Sequence, residues 1–228
     1  MSTPCINRLL FLAALIYSYC SFSQNNFETL GESGFAINKT ISGNYKINFA
    51  VRSRYYLYRD NEFGFENRQI DLAQFSSFKL NYNNSFSLGI QYRFRETFDG
   101  GSNELRLTQQ FNYTKKVLAT RFAHRFRFEQ RILERLTIFR SRYRFAIDFP
   151  LNGEKLDVGE SYLVTSMEAL LSQSSKIKSE IDHRTTAQFG WLISEKLKLQ
   201  IGLEYRFEAF NINTEERLFF LTSASLKI

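Results

Sequence analysis

The chain of 228 residues is poor in cysteine, histidine and proline, with two of each. Both cysteines, Cys5 and Cys20, lie within the first twenty residues, so the rest of the chain has no thiol. This excludes a disulfide-stabilised fold, a thiolate metal site and a cysteine nucleophile from the remainder. Few prolines suit a protein made of β-strands, because proline cannot donate a hydrogen bond to a neighbouring strand.

Long apolar runs are also missing. The longest candidate, Leu9–Ile16, is much shorter than the roughly 20 residues that a membrane-spanning helix needs. It follows Arg8, the only charged residue before it, and small side chains at Ser21–Ser23 come soon after. This order predicts a cleaved export signal over residues 1–23, with the mature chain beginning at Gln24.

Aromatic residues are abundant, with 24 Phe and 12 Tyr, and many alternate with charged residues. The clearest example is the stretch Leu118–Phe149, where two runs of period 2 are separated by a polar break near Leu133–Glu134. A helix would spread each set of side chains around its axis, so the pattern predicts two strands with one aromatic and one charged face. Their length exceeds the usual 5 or 6 residues of a strand and matches the roughly 9 to 11 of a transmembrane strand.

The same alternation recurs to the end of the chain. It predicts an all-β fold, an antiparallel up-and-down transmembrane β-barrel with ten strands over residues 45–228. Residues 24–44 form an N-terminal segment in which Phe27–Ile37 is an uncertain extra strand, and twelve strands would need this segment and one more. Ten is preferred because bacterial single-chain barrels have even strand numbers. The region Arg59–Asn67 is predicted to be a polar loop.

The charge balance is basic, with 30 Lys and Arg against 23 Asp and Glu. These charges alternate along strands and form no tail or patch, and an exported protein does not meet nucleic acid, so we expect no nucleic-acid partner. The expected location is the outer membrane of a Gram-negative bacterium, in contact with its lipids. The last strand, with Leu226 and Ile228 facing outward, resembles the strand that the barrel-assembly machinery recognises.

Arginines on the inward faces give the sharpest functional prediction. If the hairpins close at Lys115–Lys116 and Leu133–Glu134, one row across the lumen contains Arg95, Arg106, Arg125 and Arg142. The next row contains Thr97, Glu104, Arg127 and Arg140, and Arg144 completes the basic belt. Like charges directly opposite each other destabilise a sheet by roughly 0.2–1 kcal/mol per pair. The acidic residues expected to offset them are Glu104, Glu168, Glu204 and Glu208.

Two interpretations of this belt stay open. In the first, the arginines pair with the glutamates and fill a narrow barrel of structural role, as side chains do in small barrels. In the second, they line a porin-like, water-filled path for a small anionic solute, because rings of Arg or Lys select anions. Neither interpretation requires a cofactor or a metal.

Catalysis is the weaker hypothesis. The chain has no GxSxG, HExxH or glycine-rich phosphate-binding motif. Its histidines are His124, on an aromatic face, and His183, predicted at the junction of a loop and a strand. We expect no enzyme activity; the alternative is a lipid-modifying barrel enzyme that uses His183 at the rim.

Three sequence stretches carry a resemblance to a known family: RFRFEQR at Arg125–Arg131, RYRFAIDFP at Arg142–Pro150, and EIDHRTTAQFGW at Glu180–Trp191. Together they resemble domain-of-unknown-function family 2490, a group of exported bacterial proteins thought to be outer-membrane barrels. The resemblance covers nearly the whole mature chain and implies the fold, but it implies no activity. Asp182–His183 departs most from the family pattern.

Overall fold

The structure is a computed structural model that describes residues 27–228, and the predicted signal segment 1–23 lies outside these residues. The described chain forms a closed β-barrel of eleven strands and one short helix. Their bounds are β1 Phe27–Thr40, β2 Tyr45–Arg59, β3 Glu62–Lys79, β4 Asn84–Phe94, α1 Glu96–Asp99, β5 Glu104–Val117, β6 Thr120–Leu133, β7 Thr137–Pro150, β8 Ser161–Gln173, β9 Glu180–Leu192, β10 Leu197–Glu208 and β11 Glu215–Lys227.

The barrel closes through a parallel pairing of β1 with β11, which runs from Phe27↔Glu216 to Asn38↔Lys227. All other neighbouring strands are antiparallel. In an up-and-down barrel with an odd strand number, the first and last strands point the same way, so closure must be parallel. The preferred count of ten is therefore too low by one: the uncertain segment at Phe27–Ile37 belongs to the wall as β1.

The strand connections form two rims. Rim A carries the connections 60–61, 95–103, 134–136, 174–179 and 209–214, and rim B carries 41–44, 80–83, 118–119, 151–160 and 193–196. Phe27 lies at rim A and Lys227 lies at rim B, because β1 and β11 run in the same direction.

Two tight turns differ from the sequence prediction. The expected loop Arg59–Asn67 is a two-residue turn at Asp60–Asn61, and Glu62–Asn67 continues into β3. Both turn residues have positive φ, 53° and 67°, which suits a hairpin turn and which Asp and Asn tolerate better than other non-glycine residues. The β5–β6 turn is at residues 118–119, where Leu118 has a φ of 54°, so Lys115–Lys116 remain inside β5.

The two faces of the wall have opposite chemistry. Outward side chains are large and apolar, and they remain exposed, as Phe49 at 57% and Phe126 at 53% illustrate. Most buried side chains are polar or charged and point inward, among them Asp71, Glu104 and Glu129. This inversion is typical of a barrel whose outside faces lipid and whose inside is polar. No helix among residues 27–228 is long and apolar enough to cross a membrane.

Candidate functional site

Inward arginines lie opposite one another in the lumen, although in different pairs from those expected. Arg125 faces Arg144, and Arg127 faces Arg142, across β6 and β7. Across β5 and β6, Arg106 is opposite Arg131. The predicted row of Arg106, Arg125 and Arg142 is therefore wrong. The β5–β6 turn lies further along the chain than Lys115–Lys116, and the β6–β7 turn spans 134–136, so each register moves.

The structure also differs from the predicted belt at Arg95 and Thr97. β4 ends at Phe94, so Arg95 and Thr97 lie in the connection between β4 and β5 and do not join a row across the sheet. Glu104 is the first residue of β5, and it pairs in register with Arg93 and Leu133. The Arg95 side chain nevertheless lines the lumen cavity.

Two buried carboxylates each bind three arginines. Glu104 is 3% exposed and lies 2.6–3.5 Å from guanidinium nitrogens of three side chains, and Glu129 is 0% exposed and lies 3.1–3.7 Å from three. The partners of Glu104 are Arg93, Arg106 and Arg131, and those of Glu129 are Arg106, Arg127 and Arg142. Such sharing allows few carboxylates to neutralise many buried arginines.

The expected acidic residues of the far wall also bind arginines. Glu168 accepts hydrogen bonds from Arg142 Nη2 at 2.7 Å and Nε at 3.2 Å. Glu204 binds Arg206 and also accepts a hydrogen bond from the Thr186 hydroxyl at 2.9 Å. Glu208 is a third shared carboxylate, whose partners are Arg184, Arg206 and Arg217.

A cavity of about 440 Å³ occupies the lumen and is lined by fifteen arginines and eight carboxylates. Twelve of these arginines lie within 4.0 Å of a carboxylate, but no ion pair forms between Arg52, Arg125 or Arg144 and any residue of 27–228. Arg140 is weakly paired, with Asp182 at 3.9 Å and a hydrogen bond of 2.7 Å to Ser172. Three of the fifteen arginines therefore lack an ion pair within residues 27–228.

Sequence reasoning left several of these residues out of the belt. Arg52, Arg93, Arg131, Arg184, Arg206 and Arg217 all line the same cavity, as do Glu32 and Asp71. Their positions obey the same alternation of inward and outward residues, so the signal was in the sequence. Phe75 also occupies an inward position although it is aromatic, and its ring lies over Gly89 and 5.5 Å from the Arg127 guanidinium. A Cβ at Gly89 would lie 2.3 Å from the Phe75 ring.

Lysines surround a second cavity, of about 480 Å³, at rim B. No lysine among residues 27–228 lies within 4.0 Å of a carboxylate of this part of the chain. Arg121 is present too, paired with Asp148 at 2.8 Å. The lysines that line this cavity are Lys39, Lys46, Lys196, Lys198 and Lys227. Rim B is therefore a basic mouth.

At rim A, the connection 95–103 folds over the end of the lumen around Asp99. Arg95 Nη2 lies 2.8 Å from the Asp99 carboxylate, and Arg59 and Arg68 lie 3.4 and 3.9 Å from it. Burial raises the pKa of Asp99, but the hydrogen bond from Arg95 and the neighbouring positive charges outweigh burial and hold this pKa below its usual value. Asp99 therefore stays charged and ties the connection to β2 and β3.

The sequence also matches a known protein family. The sequence matches the family described as "Protein of unknown function (DUF2490)" over residues 33–217. The chain belongs to this family. No curated protein matches the DUF2490 chain.

Solved outer-membrane structures are similar to this DUF2490 barrel at low identity. One is outer-membrane expressed OmpT of Vibrio cholerae, with 10% identity, a TM-score of 0.41 and coverage of 72% of this chain and 54% of that one. The in-vitro folded trimer form of OmpT has 7% identity, a TM-score of 0.42 and coverage of 75% and 78%. An anion-selective porin from Comamonas acidovorans has 14% identity, a TM-score of 0.38 and coverage of 78% and 52%. The chain thus spans about half the length of the first and the last.

The two histidines of the DUF2490 chain lie on the outer face, away from the lumen. His124 is packed between Tyr113 and Phe145, and its Nδ1 lies 2.9 Å from the Tyr143 hydroxyl. His183 lies inside β9 and not at a loop junction, and its Nε2 lies 3.1 Å from the Thr185 hydroxyl. Within residues 27–228, neither histidine forms an ion pair with a carboxylate, and no group of His, Cys, Asp and Glu is placed to hold a metal.

Proposed function

We propose that this DUF2490 protein is an integral outer-membrane barrel that passively admits small anions through an arginine-rich lumen. The observation that carries the proposal is the unpaired positive charge of Arg52, Arg125 and Arg144 inside a cavity whose other arginines are paired. Fixed charge of one sign inside a low-dielectric wall concentrates ions of the opposite sign. Rings of Arg or Lys act in this way in anion pores.

The basic mouth at rim B also favours anions over cations. Its five lysines lie more than 4.0 Å from every carboxylate of residues 27–228, and they outnumber Glu195, the acidic residue that lines the same cavity. An anion that enters there meets lysines first and the three arginines deeper in the lumen. Cations meet positive charge at both places, so the path disfavours them.

The apolar outer face supports a membrane setting, and the predicted signal segment supports export to the outer membrane. Membrane lipids are the expected surroundings, and the barrel-assembly machinery is the expected partner in folding. Ion-paired side chains around Glu104 and Glu129 occupy part of the lumen, so we expect small inorganic or organic anions and no larger solutes.

The test is a planar-bilayer recording of the refolded protein under a potassium chloride gradient. We expect steady conductance and a reversal potential whose sign indicates that chloride permeates in preference to potassium. Arg125→Gln and Arg144→Gln should move the reversal potential toward zero, whereas Lys155→Gln, which removes an equal charge from an exposed loop, should not. A folded but silent barrel would refute the channel and leave a structural role.

A further inference from the structure

We propose that Arg52, Arg125 and Arg144, together with the side-chain amide of Gln91, form a discrete binding site for an oxyanion of the phosphate class inside the lumen. This deepens the proposed anion preference by assigning it a site and a ligand class.

The three arginines have hydrogen-bond donors to spare. Within residues 27–228, Arg52 donates one hydrogen bond, from Nη2 to Gln91 Oε1 at 3.4 Å. Arg125 also donates one, from Nε to Asn112 Oδ1 at 3.2 Å, and Arg144 makes no hydrogen bond in this part of the chain. Each guanidinium carries five N–H donors, so most of them are available to a ligand.

Nearby carboxylates form their ion pairs with other arginines. Asp71 is the register partner of Arg52, but Arg93 binds it at 2.7 and 3.0 Å. Glu168 is the register partner of Arg144, but Arg142 binds it at 2.7 and 3.2 Å. The wall therefore leaves this place positive even though acidic residues are adjacent.

Position brings the three charges together. Arg125 and Arg144 are directly opposite each other on β6 and β7. Arg52 projects from β2, and all three side chains line the same cavity. Without a ligand the three guanidinium groups repel one another, and a bound anion would convert this repulsion into attraction.

Gln91 provides an independent indication of a ligand. Its side chain is 4% exposed and lines this cavity. Its Oε1 accepts from Arg52, while its Nε2 is buried with no hydrogen-bond partner in residues 27–228. A buried amide donor without an acceptor costs free energy, and an anion held by Arg52 would supply that acceptor.

The donor set favours phosphate-class oxyanions over halides and carboxylates. Guanidinium groups bind oxyanions through two parallel N–H···O hydrogen bonds, and phosphate offers oxygens in several directions at once. A carboxylate offers two oxygens in one plane, and chloride offers no directional acceptor. The cavity of about 440 Å³ leaves room beyond a phosphate group, so an ester of phosphoric acid would fit as well as the free ion.

The experiment is calorimetric titration of the refolded barrel in detergent at low ionic strength, with inorganic phosphate, glycerol 3-phosphate and succinate as separate probes. We expect saturable binding of both phosphates and at least tenfold weaker binding of succinate. Tighter binding of glycerol 3-phosphate than of phosphate would identify the ester as the preferred source. The opposite order would identify the free ion.

Variants locate the site. Arg52→Gln, Arg125→Gln and Arg144→Gln should each weaken phosphate binding at least tenfold, while Arg135→Gln, which removes an exposed arginine from the β6–β7 turn at rim A, should leave it within twofold. Retention of the folded band on an unheated gel establishes that each variant is intact. Absence of saturable phosphate binding, or an equal loss in Arg135→Gln, overturns the site.

Failure of the site and failure of the channel are distinguishable. A barrel that selects chloride over potassium but does not bind phosphate refutes the site and leaves the channel. A barrel that binds phosphate but conducts no current refutes the channel and leaves the site.

Discussion

Arg125 lies directly across the β6–β7 ladder from Arg144, and neither side chain forms an ion pair with any residue of 27–228. The next inward pair along these strands, Arg127 and Arg142, has the same like-charge arrangement. That second pair is compensated, because Glu129 binds both of its members and Glu168 binds Arg142. Two adjacent pairs of the same residue type thus differ in whether the protein itself neutralises them.

This contrast predicts opposite effects on stability for two arginine substitutions. Arg144→Gln removes repulsion and should stabilise the ligand-free barrel by about 0.5 kcal/mol. Arg142→Gln leaves Glu129 and Glu168 short of a partner and should destabilise it by about 3 kcal/mol. Urea unfolding in detergent, followed by the fluorescence of the single tryptophan, Trp191, measures both. Effects of the same sign would contradict the prediction.

Removal of a shared carboxylate should have a still clearer effect. Glu129→Gln leaves Arg106, Arg127 and Arg142 with less negative charge in a fully buried place, so we expect a loss of about 3–5 kcal/mol. Glu154→Gln, in an exposed loop, is the matched control and should change stability by less than about 0.5 kcal/mol. The same urea titration applies. A similar midpoint for both variants would show that Glu129 does not hold the arginines together.

Alternation made the fold class and the inward side of the strands predictable, because a residue's side of the wall depends only on whether its position in the strand is odd or even. The pairs across the lumen depend on where each turn closes. Leu118 adopts a positive φ that its residue type does not indicate, so a turn at Lys115–Lys116 was a reasonable but wrong expectation. A shift of a few residues left the arginines of β5, β6 and β7 inward and gave them different neighbours.

Strand number was harder to predict because β1 has a weak pattern. Its outward positions include Gly31 and Ser33, and such small residues do not indicate a lipid-facing strand. The ring of Tyr55 covers Gly31, where a Cβ would lie 2.0 Å from it, so a neighbour on β2 supplies the apolar surface that β1 lacks. The ion pairs are not recoverable from one strand at a time, since Glu104 and Glu129 each join arginines from several strands.

The connection at rim A should respond to acid through Asp99. Its pKa is below the usual 3.8 in the folded protein, so its contribution to stability is fully present above about pH 3.8 and is lost as pH falls through the folded value. At neutral pH, Asp99→Asn should mimic the acid state. Loss of a charged hydrogen bond worth about 1 kcal/mol would lower amide protection in residues 95–103 about fivefold.

Hydrogen exchange at neutral pH checks this prediction for Asp99. Glu96→Gln is the control, because the exposed Glu96 side chain accepts a hydrogen bond from Asn103 alone within residues 27–228. Equal loss of protection in both variants would mean that the charge of Asp99 does not hold the connection.

The parallel seam between β1 and β11 predicts one cross-link and excludes another. Ser33 and Thr222 are register partners, and their hydroxyl oxygens are 2.9 Å apart. With Cys5 and Cys20 replaced by serine, Ser33→Cys/Thr222→Cys should form a disulfide under mild oxidation, because the two side chains already meet and a disulfide needs side chains that approach closely. Ser33→Cys/Leu226→Cys, four residues further along β11, should not. Gel mobility with and without reductant measures both, and equal cross-linking would contradict the seam. A ten-strand wall would pair β11 with β2 and leave Ser33 outside it, so the first cross-link directly tests the eleventh strand.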